Sequence, residues 1–280
     1  MSHAVAIGVD AGSTACKAVA VDETGRVLAR RLELASPRID DQTARLVAAL
    51  EQECAASLPV GATGYGRKRV RASRVVTEIT CHARGAFASV GRPGMLVDVG
   101  GQDTKVIRIG PAGEVLDFAM NDKCAAGTGR FLEVILGRLG VPLPDVHVQV
   151  SRAGRAVPVS STCTVFAESE VISLLAEGQP LDGILKGLHQ SLASRVAALA
   201  RTVAGDGEVF MSGGVALNAA MVSALTEAVG RPIRVVPDPQ FVGALGAALA
   251  VRDPCDRAST GERANLAEST GAVRGARLGR

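Results

Sequence analysis

Two cysteines stand in turns directly ahead of helical runs. Cys124 lies in "NDKCAAGTGR", followed by "FLEVILGRLG", and Cys163 lies in "SSTCTVFAESEV". Glycine-rich turns before helices hold phosphate through backbone N–H groups, and Gly127 is a candidate for such a contact. Phosphate needs no thiol, so these two cysteines ask for a reason of their own.

The other residues with chemistry in them are acids beside glycine. "DAGSTACK" offers Asp10, Gly12, Ser13, Thr14 and Lys17 on one hairpin turn. Backbone N–H groups and the two hydroxyls can cradle phosphate oxygens there. "DVGGQD" offers Asp98, Gly100, Gly101, Gln102 and Asp103. Gly100 and Gly101 permit close backbone approach, and Asp10 and Asp98 are placed to organise Mg2+ and the attacking water. Gln102 and Asp103 are placed to help position that water, so these four are the candidate catalytic residues of a phosphoryl-transfer site. In "VFMSGGVALNAAMV" a strand runs into Gly213 and Gly214 and then a helix, which leaves room for an adenosine with Asn218 one turn in. "PDPQFVGALGAALA" adds a glycine-punctuated helix start, with Gln240 and Gly243 as candidate nucleotide contacts. The plain alternatives are ordinary β-turns with solvated acids and tight helix–strand packing by small residues.

The elements that must carry these residues are duplicated. "GVDAGSTACKAVAVDETGRVLAR" and "LVDVGGQDTKVIRIGPAGEVLDF" match at a fixed offset of 88 residues. Asp10 matches Asp98, Gly12 matches Gly100, Lys17 matches Lys105 and Gly25 matches Gly113. Each copy reads as strand, Gly turn, strand, Gly turn, strand. Helical runs follow each copy, and "VFMSG" and "IRVVP" read as single strands among them. The class is therefore α/β with two similar halves, 1–90 and 91–252, facing each other across a cleft where the two acid–glycine turns meet. The stretch 253–280, with Cys255 in it, has little apolar periodicity and reads as a disordered tail.

Composition narrows the function. The chain has 280 residues, 47 % apolar but only 2 % aromatic, with 31 basic and 28 acidic side chains. That balance and the want of stacking aromatics argue against nucleic-acid binding. No apolar run reaches the roughly 20 residues of a membrane span. The start shows no basic leader, so a cytoplasmic location is expected. Six scattered cysteines with no CxxC pair do not make a disulfide framework. Cys16, Cys54 and Cys81 read as inert thiols, and His82 and His189 as helix residues.

The order phosphate hairpin, second phosphate hairpin, "SGG" turn resembles the superfamily of actin, sugar kinases and chaperone ATPases, a ribonuclease H-like fold. "GVDAGSTACK", "ATGYGR", "DVGGQDTKVI", "NDKCAAGTGRFLEV", "SSTCTVFAESEVI", "SGGVALN" and "GALGAALA" together resemble the ATP-dependent activators of 2-hydroxyacyl-CoA dehydratases and the ATPase subunits of benzoyl-CoA reductase. The resemblance implies a homodimer that binds ATP and Mg2+ and holds one 4Fe-4S cluster between its subunits. It gives Cys124 and Cys163 as the metal ligands. A cubane cluster takes four thiolates, and two chains with two cysteines each supply them. Ferredoxin or flavodoxin is the implied electron donor, and a dehydratase or reductase the implied acceptor. A metal-free small-molecule kinase of the same superfamily, or a non-catalytic nucleotide sensor, would leave both cysteines unexplained.

Overall fold

A computed structural model describes residues 3–203 and 205–252; the tail and Cys255 lie outside the described residues. Strands β1 (Ala4–Ala11), β2 (Ala15–Asp22) and β3 (Val27–Leu34) form an antiparallel meander, and β4 (Val60–Thr63) and β5 (Arg74–Val75) extend it in parallel from β1, in the order β3-β2-β1-β4-β5. The second sheet repeats this plan. Strands β6 (Gly94–Val99), β7 (Thr104–Ile109) and β8 (Val115–Asn121) form the meander, and β9 (Val209–Ser212) and β10 (Ile233–Val235) lie parallel beyond β6.

The duplication reaches the backbone register. In the first copy the β2–β3 pairing slips between Ala20 and Val21, and in the second the β7–β8 pairing slips between Arg108 and Ile109, the same offset of 88. The turns after both slips use Gly25 and Gly113 with φ of +87° and +79°, a region that favours glycine. Asp10 pairs across strands with Lys17, and Asp98 with Lys105, so the matched residues are the same cross-strand pair twice.

Apolar runs such as "AIGVDA" in β1 and "GMLVDV" in β6 are buried on both faces, as strands covered on each side must be. On the first sheet, α1 (Ile39–Cys54) covers one face with Leu46 and Leu50, while α8 (Val242–Arg252) covers the other with Ala244, Leu245, Ala248 and Leu249. On the second, α2 (Glu78–Val90) places Ala83 and Ala86 against Leu96, Ile107 and Phe210. The far face carries the largest core, in which α3 (Gly129–Leu139) and α6 (Leu181–Ala200) set Phe131, Ile135, Leu188 and Leu192 against Val97 and Val106. Helices α4 (Leu143–Arg152), α5 (Thr164–Ala176) and α7 (Ala219–Val229) complete that side.

Helices α2 and α8 are exchanged relative to chain order. The helix that precedes the second sheet packs on it, whereas the one that ends the described chain returns to the first sheet, and the two helices pack on each other. Glycine makes this contact possible: a Cβ at Gly85 would overlap the Val242 carbonyl, and one at Gly246 would overlap that of Cys81. Among the described residues no helix is long and apolar enough to cross a membrane.

Candidate functional site

The two acid–glycine turns meet. Thr14 sits against Gly101 so closely that a Cβ there would overlap its side chain. Asp10 and Asp98, both buried, lie at the ends of β1 and β6 and face the cleft between the halves. Asp10 Oδ2 lies 3.2 Å from Lys17 Nζ. Burial works against the charge on Lys17, but Asp10, with Asp98 beyond it, outweighs burial and raises its pKa. Asp98 accepts a hydrogen bond from Ser212 Oγ at 2.7 Å. Burial favours its neutral form, yet His82, Lys105, that hydroxyl and Lys17 together hold its carboxyl below the usual range. Asp98 is therefore held as a carboxylate, the form that Mg2+ requires.

Behind them lies a charged network. Lys105 Nζ is 2.5 Å from Asp103, 3.3 Å from Glu78 and 3.6 Å from Asp98. Glu78 opens α2, whose N-cap Thr77 accepts from the Thr80 N–H at 3.3 Å. The i, i+4 spacing then puts His82 on the same face as Glu78. Nε2 of His82 lies 3.6 Å from Asp98 Oδ2.

Around the acids a cleft of about 650 Å³ is lined by Gly12, Ser13, Thr14, Gly100, Gly101, Gln102, Gly213, Gly214, Asn218 and Gln240. That volume suits a nucleotide. The Thr14 hydroxyl oxygen is buried there with no hydrogen-bond partner among the described residues, as a ligand-directed group would be. Gly213, at φ +87°, donates its N–H to the Pro239 carbonyl at 2.9 Å and leaves no room for a side chain against Val99. A Cβ at Gly214 would meet only Gln240 Nε2, at 3.7 Å, so this wall is open. Asn218 does not lie one turn into the helix: a 3₁₀ turn, Gly214–Leu217, intervenes, and Asn218 is the N-cap of α7. Its Oδ1 accepts from the Ala220 and Met221 N–H groups and its Nδ2 donates to His189 Nε2 at 2.9 Å. His189 is thereby a fully buried structural residue. Gly127 does not line the cleft; its carbonyl accepts from Thr104 Oγ1 at 2.6 Å, beside the loop of Cys124.

The cysteines divide by environment. Burial pushes Cys16 and Cys81 up to about 12, so both stay thiols at neutral pH. Cys124 and Cys163 are exposed. Cys124 precedes a 3₁₀ turn, Ala125–Gly127, and Asn121 clasps it: Oδ1 accepts its N–H at 3.2 Å and Nδ2 donates to its carbonyl at 2.8 Å. Cys163 is the N-cap residue of α5. One carboxylate ties the loop before it, since Glu170 accepts from the Ser160 N–H and hydroxyl at 2.8 Å and from the Ser161 N–H at 2.7 Å. Burial raises the Glu170 pKa, but these bonds outweigh it and bring the value down to about 2. Arg195, stacked 4.5 Å from the Phe131 ring centroid, brings a cation near Cys124.

Among the described residues no three His, Cys, Asp or Glu side chains gather as a metal site within one chain. Two exposed, firmly held thiols fit a cluster shared between two copies, which takes four thiolates. Sequence reading passed over Glu78, His82, Asn121 and Glu170. The available signals were Glu78 and His82 at helical i, i+4 spacing and Glu170 two turns beyond Cys163.

The chain belongs to the BadF/BadG/BcrA/BcrD ATPase family, whose profile matches residues 7–251. An activator of lactoyl-CoA dehydratase from Anaerotignum propionicum is 41 % identical over 247 residues, covering 87 % of this chain and 95 % of that protein. One of the subunits of benzoyl-CoA reductase from Thauera aromatica is 35 % identical over 196 residues, 68 % of this chain and 70 % of that protein. The solved structure of the activator of 2-hydroxyisocaproyl-CoA dehydratase from Clostridium difficile, with bound ADPNP, superposes with a TM-score of 0.82 at 35 % identity, covering 98 % of this chain and all of that one. A ROK family glucokinase from Streptomyces griseus shares the fold alone, with a TM-score of 0.58 at 15 % identity over 89 % of this chain and 99 % of that one. The fold is the duplicated actin- and sugar-kinase-like ATPase fold.

Proposed function

We propose that this member of the family is an ATP-hydrolysing activator that passes a low-potential electron to a 2-hydroxyacyl-CoA dehydratase. The observation that carries the reading is the pairing, in one chain, of a two-acid nucleotide cleft with two exposed cysteines at turns braced by Asn121 and Glu170.

Phosphates of ATP rest on the Gly12–Thr14 and Gly100–Gln102 turns, with the Thr14 hydroxyl and Lys17 reaching them. Asp10 and Asp98 organise Mg2+ and water, and Gly213 and Gly214 leave the wall against which adenosine lies. Cys124 and Cys163 from two copies of the chain hold a 4Fe-4S cluster, which supplies one-electron transfer when bound. Val165, Phe166 and Ile172 are exposed on α5 directly after Cys163, which is an apolar face suited to a second copy. ATP turnover alters the closure of the halves, and the loops of Cys124 and Cys163 ride on helices of the second half. The donor is ferredoxin or flavodoxin. The partner enzyme does the acyl-CoA chemistry, so this chain needs no CoA site. The benzoyl-CoA reductase subunit at 35 % identity supports a second reading, the same chemistry in a heteromeric reductase.

The test is anaerobic. Reduced protein with ATP is added to an inactive 2-hydroxyacyl-CoA dehydratase and, separately, to benzoyl-CoA reductase lacking its ATPase subunits. ATP-dependent dehydration in the first mixture alone supports the activator. Turnover in the second alone supports the reductase component. ATP hydrolysis with electron transfer to neither contradicts both.

A further inference from the structure

His82 is a buried titratable group at the bottom of the cleft that the reading above leaves without work. Its Nδ1 lies 2.9 Å from the Glu78 carbonyl oxygen, which can only accept, so Nδ1 carries the proton. Nε2 is therefore the ring nitrogen left to the cleft. It lies in the cleft lining with Asp10 and Asp98, 3.6 Å from Asp98 Oδ2. That separation is too long for a hydrogen bond between them. A water between them can bond to both, and an open cleft supplies it. The facing wall is Gly243. A Cβ there would lie 3.3 Å from His82 Nε2 and 3.2 Å from Asp10 Oδ2, so glycine keeps the ring edge and Asp10 uncovered.

We propose that His82, through Nε2, holds the attacking water for ATP hydrolysis between the two acids. The inference rests on the cleft being an ATP site. The water oxygen bonds to the γ-phosphorus as the bond from that phosphorus to the β,γ-bridging oxygen breaks, and ADP leaves with the electron pair. One water proton stays on the phosphate formed and the other is released to solvent. The ring is held in place for this role. Its Nδ1 is anchored on the first turn of α2, and Asp98, itself held by Ser212, borders the water on the other side.

Two substitutions separate this role from a structural one. His82→Asn keeps a donor able to reach the Glu78 carbonyl but removes the group in the cleft. His82→Gln does the reverse, placing an amide oxygen near the position of Nε2. Nucleotide binding is measured calorimetrically with ATP and a non-hydrolysable analogue, hydrolysis by phosphate release, trapping with ADP and aluminium fluoride, and folding by thermal melting. The expected result for His82→Asn is hydrolysis slower by about 10²-fold with ATP affinity within about threefold and loss of the aluminium fluoride complex. His82→Gln retains about tenfold more activity than His82→Asn, on the same reasoning. Unchanged hydrolysis in His82→Asn overturns the proposal. So does the opposite order of the two variants, or loss of ATP binding and thermal stability in parallel, which marks a purely structural histidine. Wild-type protein that binds no ATP overturns the ATP reading itself, and this inference with it; wild-type protein that binds and hydrolyses ATP leaves any failure to His82 alone.

Discussion

Cys163 owes its presentation to a carboxylate two helical turns away. Glu170 reaches back along α5 and accepts three hydrogen bonds from Ser160 and Ser161, which fixes the approach of the chain to the cysteine. Replacing it by glutamine puts an amide donor among N–H donors. Backbone protection of Ser160 and Ser161 against hydrogen exchange should then fall about tenfold at pH 7, the worth of one such bond. The pH dependence follows from the sign of the shift. The folded-state value, about 2, lies below the ordinary 4.5, so the brace is complete above pH 4.5 and is lost as the pH falls toward 2. Wild-type protection fades over that interval, whereas in Glu170→Gln it is low throughout; equal protection in both proteins would show that the loop is held by something else. The sequence displayed the cysteines, Asp10, Asp98 and the glycines, because each sits in a turn whose residue types are unusual for mere turns. Glu170 and His82 were hidden. Each lies inside a helical run whose spacing is equally that of a solvated or packed face, and their partners are reached only by the loop path before α5 or by the second sheet.

At the scale of elements, the duplicated hairpin was legible because strand alternation and glycine turns are local properties. The fold adds what no local pattern carries: the repeated register slip and the conversion of matched Asp and Lys residues into cross-strand pairs. The exchange of α2 and α8 between the halves was not legible, since amphipathic spacing says which face of a helix is buried but not which sheet buries it. This crossed pair forms the bottom of the cleft, with His82 from one helix and Gly243 from the other. Close approach is its structural requirement. Gly246→Ala drives a methyl into the Cys81 carbonyl of α2, a backbone atom that cannot yield alone. The expected cost is about 1–3 kcal/mol or more, read as a lowered denaturation midpoint with weaker ATP binding. Unaltered stability would mean that α2 and α8 do not pack this closely in solution.

For the whole molecule, the division runs between the cleft and the exposed Cys124 and Cys163, beside which no metal-ligating group of three gathers among the described residues. Half of a shared site is what we propose for these two exposed thiols, which lie beside the apolar Val165, Phe166 and Ile172. The resemblance carried by the two cysteine motifs implied this from sequence; composition and periodicity said nothing of it, because oligomeric sites are assembled from surfaces. A cluster shared between two copies is tested most directly by the iron and acid-labile sulfide content of protein purified without oxygen, measured alongside its sedimentation. About four irons and four sulfides per dimer are expected, the content of one cubane cluster, lost in Cys124→Ser and in Cys163→Ser while ATP binding persists. Iron-free protein that cannot be reconstituted, or iron retained after both substitutions, would contradict the shared cluster.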